Sequence, residues 1–218
     1  KISLSNNDGG TSNTLFGSKS GANLAGGGNY NVLIGEDAGN DLTTGTNNIA
    51  IGFGSLDRCT TQALRNIAIG LYSMHGNWTT AAVVDCVAVG EQTLEGTLTA
   101  DASGSTAVGS FALTALTSGA GNTAVGYTAG KEITTGSRNT AIGFGAMDDS
   151  SVALALDNTF VGYDSGGGTW TGTVSSYNTG VGSYTLDAVM NGALDNTAIG
   201  YKAGTSISSG VNNTIIGS

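Results

Sequence analysis

Proline is absent from this sequence, and charged side chains make up only 11% of its 218 residues. Without proline or a Gly-X-Y period, the abundant glycine does not indicate a collagen triple helix. Disordered chains combine many charges with few hydrophobic residues, whereas this chain has few charges and 39% hydrophobic residues. We therefore expect a folded protein built from many short strands and tight turns.

Side chains that commonly carry out chemistry are also scarce. His75 is the only histidine, so one chain offers neither a histidine-dependent triad nor a metal site with several histidine ligands. We expect His75 on a surface loop. The two cysteines, Cys59 and Cys86, are too few for a disulfide scaffold, and both buried thiols and a disulfide stay open. The sequence predicts no catalytic site, no metal and no cofactor.

Charge and hydropathy limit the partners of the chain. Acidic residues outnumber basic ones by 16 to 7, which gives a net charge of −9, and the basic residues are scattered. Such a surface repels phosphate backbones, so nucleic acid is not an expected partner. No stretch approaches the roughly 20 apolar residues that a membrane helix needs, so membrane insertion is not expected either.

What the sequence has in abundance is glycine, with 37 residues, and many copies of one short motif. The motif reads Asn, β-branched residue, small residue, Ile or Val, Gly, as in 139–143 and 196–200. Residues 1–12 are a lead-in, and residues 13–217 are the repeats of a single domain. The closing glycines recur at a nearly constant interval, at Gly17, Gly35, Gly52, Gly70, Gly90, Gly109, Gly126, Gly143, Gly162, Gly182, Gly200 and Gly217.

A longer period overlies this repeat. Residues 34–57 resemble residues 125–148, 91 positions further on, and both stretches contain Gly-Phe-Gly. The two longest units begin at Gly70 and Gly162, lie five units apart, and each carry a tryptophan eight residues after the glycine. A block of five units therefore looks duplicated, which argues against two unrelated domains.

Two columns of the motif are expected to be structural. A stacked Asn column can hydrogen-bond to turn backbone and to the Asn above and below, and the closing Gly allows a positive φ or a close backbone approach. Cys86 and Ser105 replace Asn in two of the twelve copies. The other ten copies carry Asn13, Asn31, Asn48, Asn66, Asn122, Asn139, Asn158, Asn178, Asn196 and Asn213.

The strand columns predict how the motif is buried. The two β-branched or aliphatic columns share one strand face, because strand side chains alternate, and the central, mostly alanine column lies on the other. Both faces are therefore expected to be buried, as in a parallel sheet. Each unit supplies few apolar side chains, so a single chain would have a poorly filled interior. We expect a homotrimer, in which chains joined around a common axis bury a second face.

These observations predict an all-β protein: a parallel β-solenoid or β-roll of about twelve repeats of 17–20 residues, forming an intertwined or side-by-side homotrimer. Each turn is expected to contribute one strong strand and a weaker return strand. With strands ~4.8 Å apart, twelve units would span about 55–60 Å.

The motif also resembles a known family. Asn-Thr-Ala-Ile-Gly-Tyr-x-Ala-Gly, at 196–204 and with Val at 122–130, resembles repeats in phage tail-fibre proteins. It is similar as well to the Asn-Ser-Val-Ala-Ile-Gly repeats in the heads of trimeric autotransporter adhesins, which are trimeric, left-handed parallel β-rolls. Those adhesin repeats are shorter than the repeats of this chain, so the turns look more like those of phage fibres.

The resemblance, which covers residues 13–217, implies a function. The chain would be a trimeric segment of a host-attachment fibre, in the virion or on an extracellular surface. Its partners would be further copies of itself and a host-surface glycan or protein. A bacterial trimeric surface adhesin head is an alternative, and a glycan-binding or glycan-depolymerising solenoid is a third hypothesis.

Two tryptophans are candidate ligand contacts. Trp78 and Trp170 occur in the two expanded units, and exposed loops on a rigid scaffold often carry recognition, although packing of the indoles is the alternative.

Aromatic residues just after the closing glycines could stack on sugars or cover the edge of the core. A glycosidase needs two suitably spaced carboxyls, but solvated turn acids are the expected interpretation. The pairs are Glu36 with Asp37, Glu91 with Glu95, and Asp148 with Asp149.

Overall fold

The fold is seen in a computed structural model of the chain, which describes residues 2–3, 10–59, 62–78, 82–150 and 155–218. Each copy of the motif forms a three-residue strand, and the chain then turns and returns to place the next copy beside it. The prediction of an all-β parallel solenoid is confirmed, with about eleven turns.

Short strands follow from the motif, because the closing glycine ends each strand after three residues. The described elements include one 3-10 turn, Ala100–Ala102. The strands are β1 Ile2–Ser3, β2 Thr14–Phe16, β3 Val32–Ile34, β4 Ile49–Ile51, β5 Ala63–Leu64, β6 Ile67–Ile69, β7 Val83–Val84, β8 Val87–Val89, β9 Thr106–Val108, β10 Thr123–Val125, β11 Thr140–Ile142, β12 Thr159–Val161, β13 Thr179–Val181, β14 Thr197–Ile199 and β15 Thr214–Ile216.

The motif strands form one sheet in strict register. Thr123 pairs with Thr140, and the same motif position pairs with itself along the parallel stack from β2 to β15. The first strand, β1, is antiparallel to β2 at one end of this sheet. The return side is less regular: β5 pairs with β7, and isolated parallel bridges such as Ser176 with Leu194 join other turns.

The central column of each motif strand points into the solenoid. Ala50, Ala107 and Ala124 are fully buried, whereas the residues on either side of them are partly exposed. The expectation that both strand faces are buried is therefore wrong for a single chain. The chain returns on the alanine side, since a methyl group leaves room for the larger side chains that follow the closing glycine.

Those larger side chains fill the interior. The fourth residue after the closing glycine is leucine or methionine in six units, and all six side chains are buried. A single chain thus closes its own core, which corrects the expectation of a poorly filled interior. The six residues are Leu56, Met74, Leu94, Leu113, Met147 and Leu186.

Candidate interaction surface

The Asn column forms a hydrogen-bonded ladder inside one corner of the solenoid. The Oδ1 of Asn139 accepts hydrogen bonds from the backbone N–H and the Nδ2 of Asn158, both at 3.1 Å. Its Nδ2 donates to Asn122 Oδ1 at 3.1 Å and to the carbonyl of Ala155 at 2.7 Å. Each amide therefore joins three turns, and because most of the column is buried, it holds the stack together rather than contacting a ligand.

The ladder is interrupted where Cys86 and Ser105 replace Asn. The Asn66 Oδ1 still accepts from the Cys86 backbone N–H at 3.0 Å, and Ser105 Oγ accepts from the Asn122 N–H at 3.3 Å. Both cysteines are buried free thiols, so the alternative of a disulfide does not apply in this structure. Burial raises the pKa of the Cys59 thiol and of the Cys86 thiol, which makes both poor nucleophiles.

The closing glycines stack on one another as a backbone column. All twelve have φ between +124° and +146°, a region that strongly favours glycine. At Gly52, an added Cβ would lie 2.5 Å from the carbonyl oxygen of Gly70 in the next turn. Glycine is therefore required there both for its conformation and for the close approach of adjacent turns.

The two tryptophans lie inside the molecule. Trp78 and Trp170 are each 1% exposed, so neither presents its ring to a ligand at the surface. Trp170 Nε1 donates to the Gly166 carbonyl at 2.9 Å, and its ring packs edge-on against Phe160 with centroids 5.8 Å apart. Phe160 replaces the usual central alanine, and its register partner Gly180 leaves room for the ring. The expanded units are wide because they enclose large side chains.

The outer face of the motif sheet is uncharged and open, and threonine fills one of its two outward columns in eight of the twelve strands. We call its two outward columns, which flank the buried central column, the strand stripe. One column is valine, isoleucine or threonine, the other is valine, isoleucine or phenylalanine, and neither contains a charge in any of the twelve strands. Several of these side chains are well exposed: Phe16, Val125, Ile142, Val181, Ile199 and Ile216.

An aromatic ladder runs beside the strand stripe, just beyond the closing glycines. Successive rings in neighbouring turns are in contact, with centroids 5.1 to 6.2 Å apart. Phe144 is stacked between Tyr127 and Tyr163, at interplanar angles of 24° and 11°. The ladder consists of Phe111, Tyr127, Phe144, Tyr163, Tyr184 and Tyr201.

Ring orientation decides what this ladder can contact. Tyr127, Phe144 and Tyr163 are stacked, so these rings turn their edges rather than their faces to the surroundings. The other three contacts of the ladder are edge-to-face. A sugar stacks on the face of an aromatic ring, and within the stacked part of the ladder those faces are covered. The ladder is suited to packing against apolar side chains, which also meet ring edges favourably.

The opposite margin of the strand stripe carries ion pairs between turns. Arg65 donates two hydrogen bonds to Asp85, at 2.7 and 2.8 Å, and Arg138 does the same to Asp157 at 2.7 Å each. These bonds lower the pKa of both carboxyls. The pairs are largely exposed, so they contribute little stability, but they mark where the uncharged surface ends.

His75 lies in a column of turn residues between two carboxylates. Its ring nitrogens are 3.7 Å from Asp57 Oδ2 and 3.9 Å from Glu95 Oε1, and Tyr72 covers its ring at 4.5 Å. His75 lies in a turn between strands, as expected, but its neighbours cover most of the side chain, which is 14% exposed. Burial lowers the pKa of His75, which opposes the effect of its acidic neighbours.

Neighbouring turns also bring aspartates together. Burial raises the pKa of Asp148 to about 6, with the charges of Asp164 and Asp149 adding to the effect. Burial likewise raises the pKa of Asp164 and of Asp187. The sequence alone suggests the pair Asp148 and Asp149, but it does not show that Asp164 lies close to them. Aligning the turns by their closing glycines places Asp164 in the turn beside Asp148, which is the signal that could have found it.

Among the described residues, no three His, Cys, Asp or Glu side chains are arranged to hold a metal ion. No helix within the described part of the chain is long and apolar enough to span a membrane.

Comparisons with protein-family models, curated proteins and solved structures find no match to this chain.

Proposed function

We propose that the chain is a structural segment of a fibre of a phage or phage-like particle, in which three copies associate and extend the reach of host-surface attachment. The observation that carries this proposal is an in-register solenoid of about eleven turns whose motif resembles phage tail-fibre repeats. The virion, or failing that an outer cell surface, is its place of action.

The architecture suits a spacer. In a solenoid each unit contacts only its neighbours, so length grows with the number of units while the cross-section stays constant. Twelve strands at ~4.8 Å give a rod of about 55 Å. The Asn ladder and the glycine column tie adjacent turns along this axis, which favours stiffness over bending.

Solution mass tests the assembly. One chain has a mass of 21.5 kDa, so light scattering of a native trimer would give three times that value. A mass near that of one chain at micromolar concentration would overturn the trimeric fibre.

Immunogold electron microscopy tests the location. With antibodies against this chain, gold on the tail fibres of particles from the source culture would support the proposal. Gold confined to the cell envelope would instead favour the alternative of a bacterial adhesin head.

A further inference from the structure

We propose that the strand stripe and the aromatic ladder together form the seam along which copies of this chain associate, with the strand stripe of one copy packed on the aromatic ladder of the next. This inference deepens the proposed trimer, on which it rests, by assigning its contact surface. The occupant of the surface is thus a second copy of this chain.

Charge separates this surface from the rest of the chain. The twelve motif strands carry no charged residue in their outward columns, although the chain has 23 charged residues, 16 acidic plus 7 basic, and a net charge of −9. The ion pairs Arg65–Asp85 and Arg138–Asp157 lie outside the strand stripe, at its margin. Two copies can therefore meet along the strand stripe without burying an ion pair, whose desolvation is costly. At one end of the aromatic ladder, Lys202 Nζ lies 5.8 Å from the Tyr184 ring centroid and 5.3 Å from the Tyr201 ring centroid.

The extent of the surface fits a contact that closes a ring. The aromatic ladder runs along six turns, from Phe111 to Tyr201, so it is about 25 Å long and roughly 10 Å wide. Where the strand stripe of one copy packs on the ladder of the next, each contact buries on the order of 500 Å² from both copies together. A closed ring of three such contacts buries about 1,500 Å², which is within the range for stable interfaces.

Periodicity favours a copy of the same chain over another partner. Both the strand stripe and the aromatic ladder repeat once per turn, because strands and rings are stacked in register. Only a partner with the same rise per unit can match every rung along the whole length. A second copy meets this condition without any adjustment.

Two different stripes also fit a cyclic trimer. A ring of three uses a heterologous contact, in which one patch of each copy meets a different patch of the next, whereas a two-fold dimer pairs a patch with itself. The strand stripe and the aromatic ladder adjoin at the closing glycines, where the backbone bends, so one copy can offer the two patches to two neighbours.

Tyrosine nitration of the wild-type protein tests the seam without a mutation. Tyr127, Tyr163 and Tyr201 in the ladder are 47%, 46% and 55% exposed in one chain, and Tyr30 and Tyr177 outside it are 60% and 56% exposed. If the seam is buried, mass spectrometry after brief treatment with tetranitromethane should show the ladder tyrosines modified several-fold more slowly than the other two. Equal rates in a protein with the mass of three chains would overturn the seam while leaving the trimer intact.

A charge variant gives a second test. Val125→Lys with Val181→Lys places two cations in the strand stripe, and the mass should fall from three chains to one while the far-UV circular dichroism stays unchanged. The matched control, Val189→Lys with Val211→Lys, changes two valines outside the motif strands that are 51% and 48% exposed, and should leave the mass unchanged. A stripe variant that stays trimeric would refute the seam alone. A monomeric wild type would refute both the seam and the trimer and would leave this surface to another occupant, such as a glycan.

Discussion

At the scale of single residues, two columns of identical side chains hold the turns together. Asparagine amides link three successive turns, and glycines bring adjacent backbones closer than any side chain would allow. Both effects depend on the same residue recurring at the same place, so a single substitution affects the turns on either side.

Gly52→Ala tests the glycine column. The added Cβ would lie 2.5 Å from the Gly70 carbonyl oxygen, and the new alanine would have to adopt a φ of +134°. We therefore expect a loss of about 3 kcal/mol or more in unfolding free energy. Gly104→Ala is the control: its φ is +74°, but nothing lies within 4 Å of its Cβ, so it should cost only about 1 kcal/mol. Urea denaturation would measure both. Equal losses would mean that neither the φ of +134° nor the close approach to Gly70 adds to the cost of an ordinary positive φ.

Completing the Asn ladder should stabilise the fold. In Cys86→Asn with Ser105→Asn, the new amides would continue the bonds from Asn66 to Asn122, and we expect a gain of about 1–2 kcal/mol. Both changes are needed, because a single new amide would be buried next to an incomplete partner. Thermal unfolding monitored by circular dichroism would measure the gain. A lower Tm for the double variant than for the wild type would show that these two turns cannot accept the larger side chain.

At the scale of the element, one turn with its strand, the inner and outer faces have different tasks. The inner face combines a small central residue with a buried leucine, methionine or tryptophan. The outer face keeps threonine, valine and isoleucine, which suit strands, and these side chains are only partly covered within one chain. Turn residues next to the strand then place aromatic and acidic side chains of adjacent units side by side.

The aspartates of neighbouring turns should make stability depend on pH. The folded-state pKa of Asp148, about 6, lies above the ordinary value of 3.8, so the stabilisation that protonated Asp148 provides is present below pH 4 and lost as pH rises to about 6. Asp148→Asn should therefore raise the stability at pH 7, by about 1 kcal/mol after screening by solvent, and change little at pH 4.

Thermal melts of the wild type and Asp148→Asn between pH 4 and 7 would measure this difference, and the titration of His75 cancels in the comparison. Asp101→Asn, at an exposed aspartate on the 3-10 turn, serves as the control for the loss of one negative charge. An Asp148→Asn effect that does not vary with pH would contradict the raised pKa.

At the scale of the whole molecule, the duplicated block makes the solenoid modular. Gly52 and Gly143 lie five units apart, and each is followed by Phe-Gly and a buried leucine or methionine. Because each unit contacts only its neighbours, removing whole units should shorten the rod without disturbing what remains.

Deletion of residues 53–143 joins Gly52 to Phe144 in register. We expect a folded, shorter solenoid with retained β circular dichroism and a cooperative but lower Tm, since fewer units contribute to stability. Deletion of residues 53–134 begins at the same point but ends half a turn out of register, and it should lose cooperative unfolding. If both deletions behave alike, register between units does not control folding.

The sequence by itself determines the repeat, the parallel in-register stack, and the Asn and Gly columns. When repeats of nearly constant length stack, residues at the same motif position lie directly above one another. It does not determine which strand face is inside, since alternation separates two faces without saying where the chain returns. Only the tertiary structure decides that the alanine face is internal, that Trp78 and Trp170 are enclosed, and that Asp164 joins Asp148. Each depends on contacts between turns, and these are set by how the chain closes around its own core.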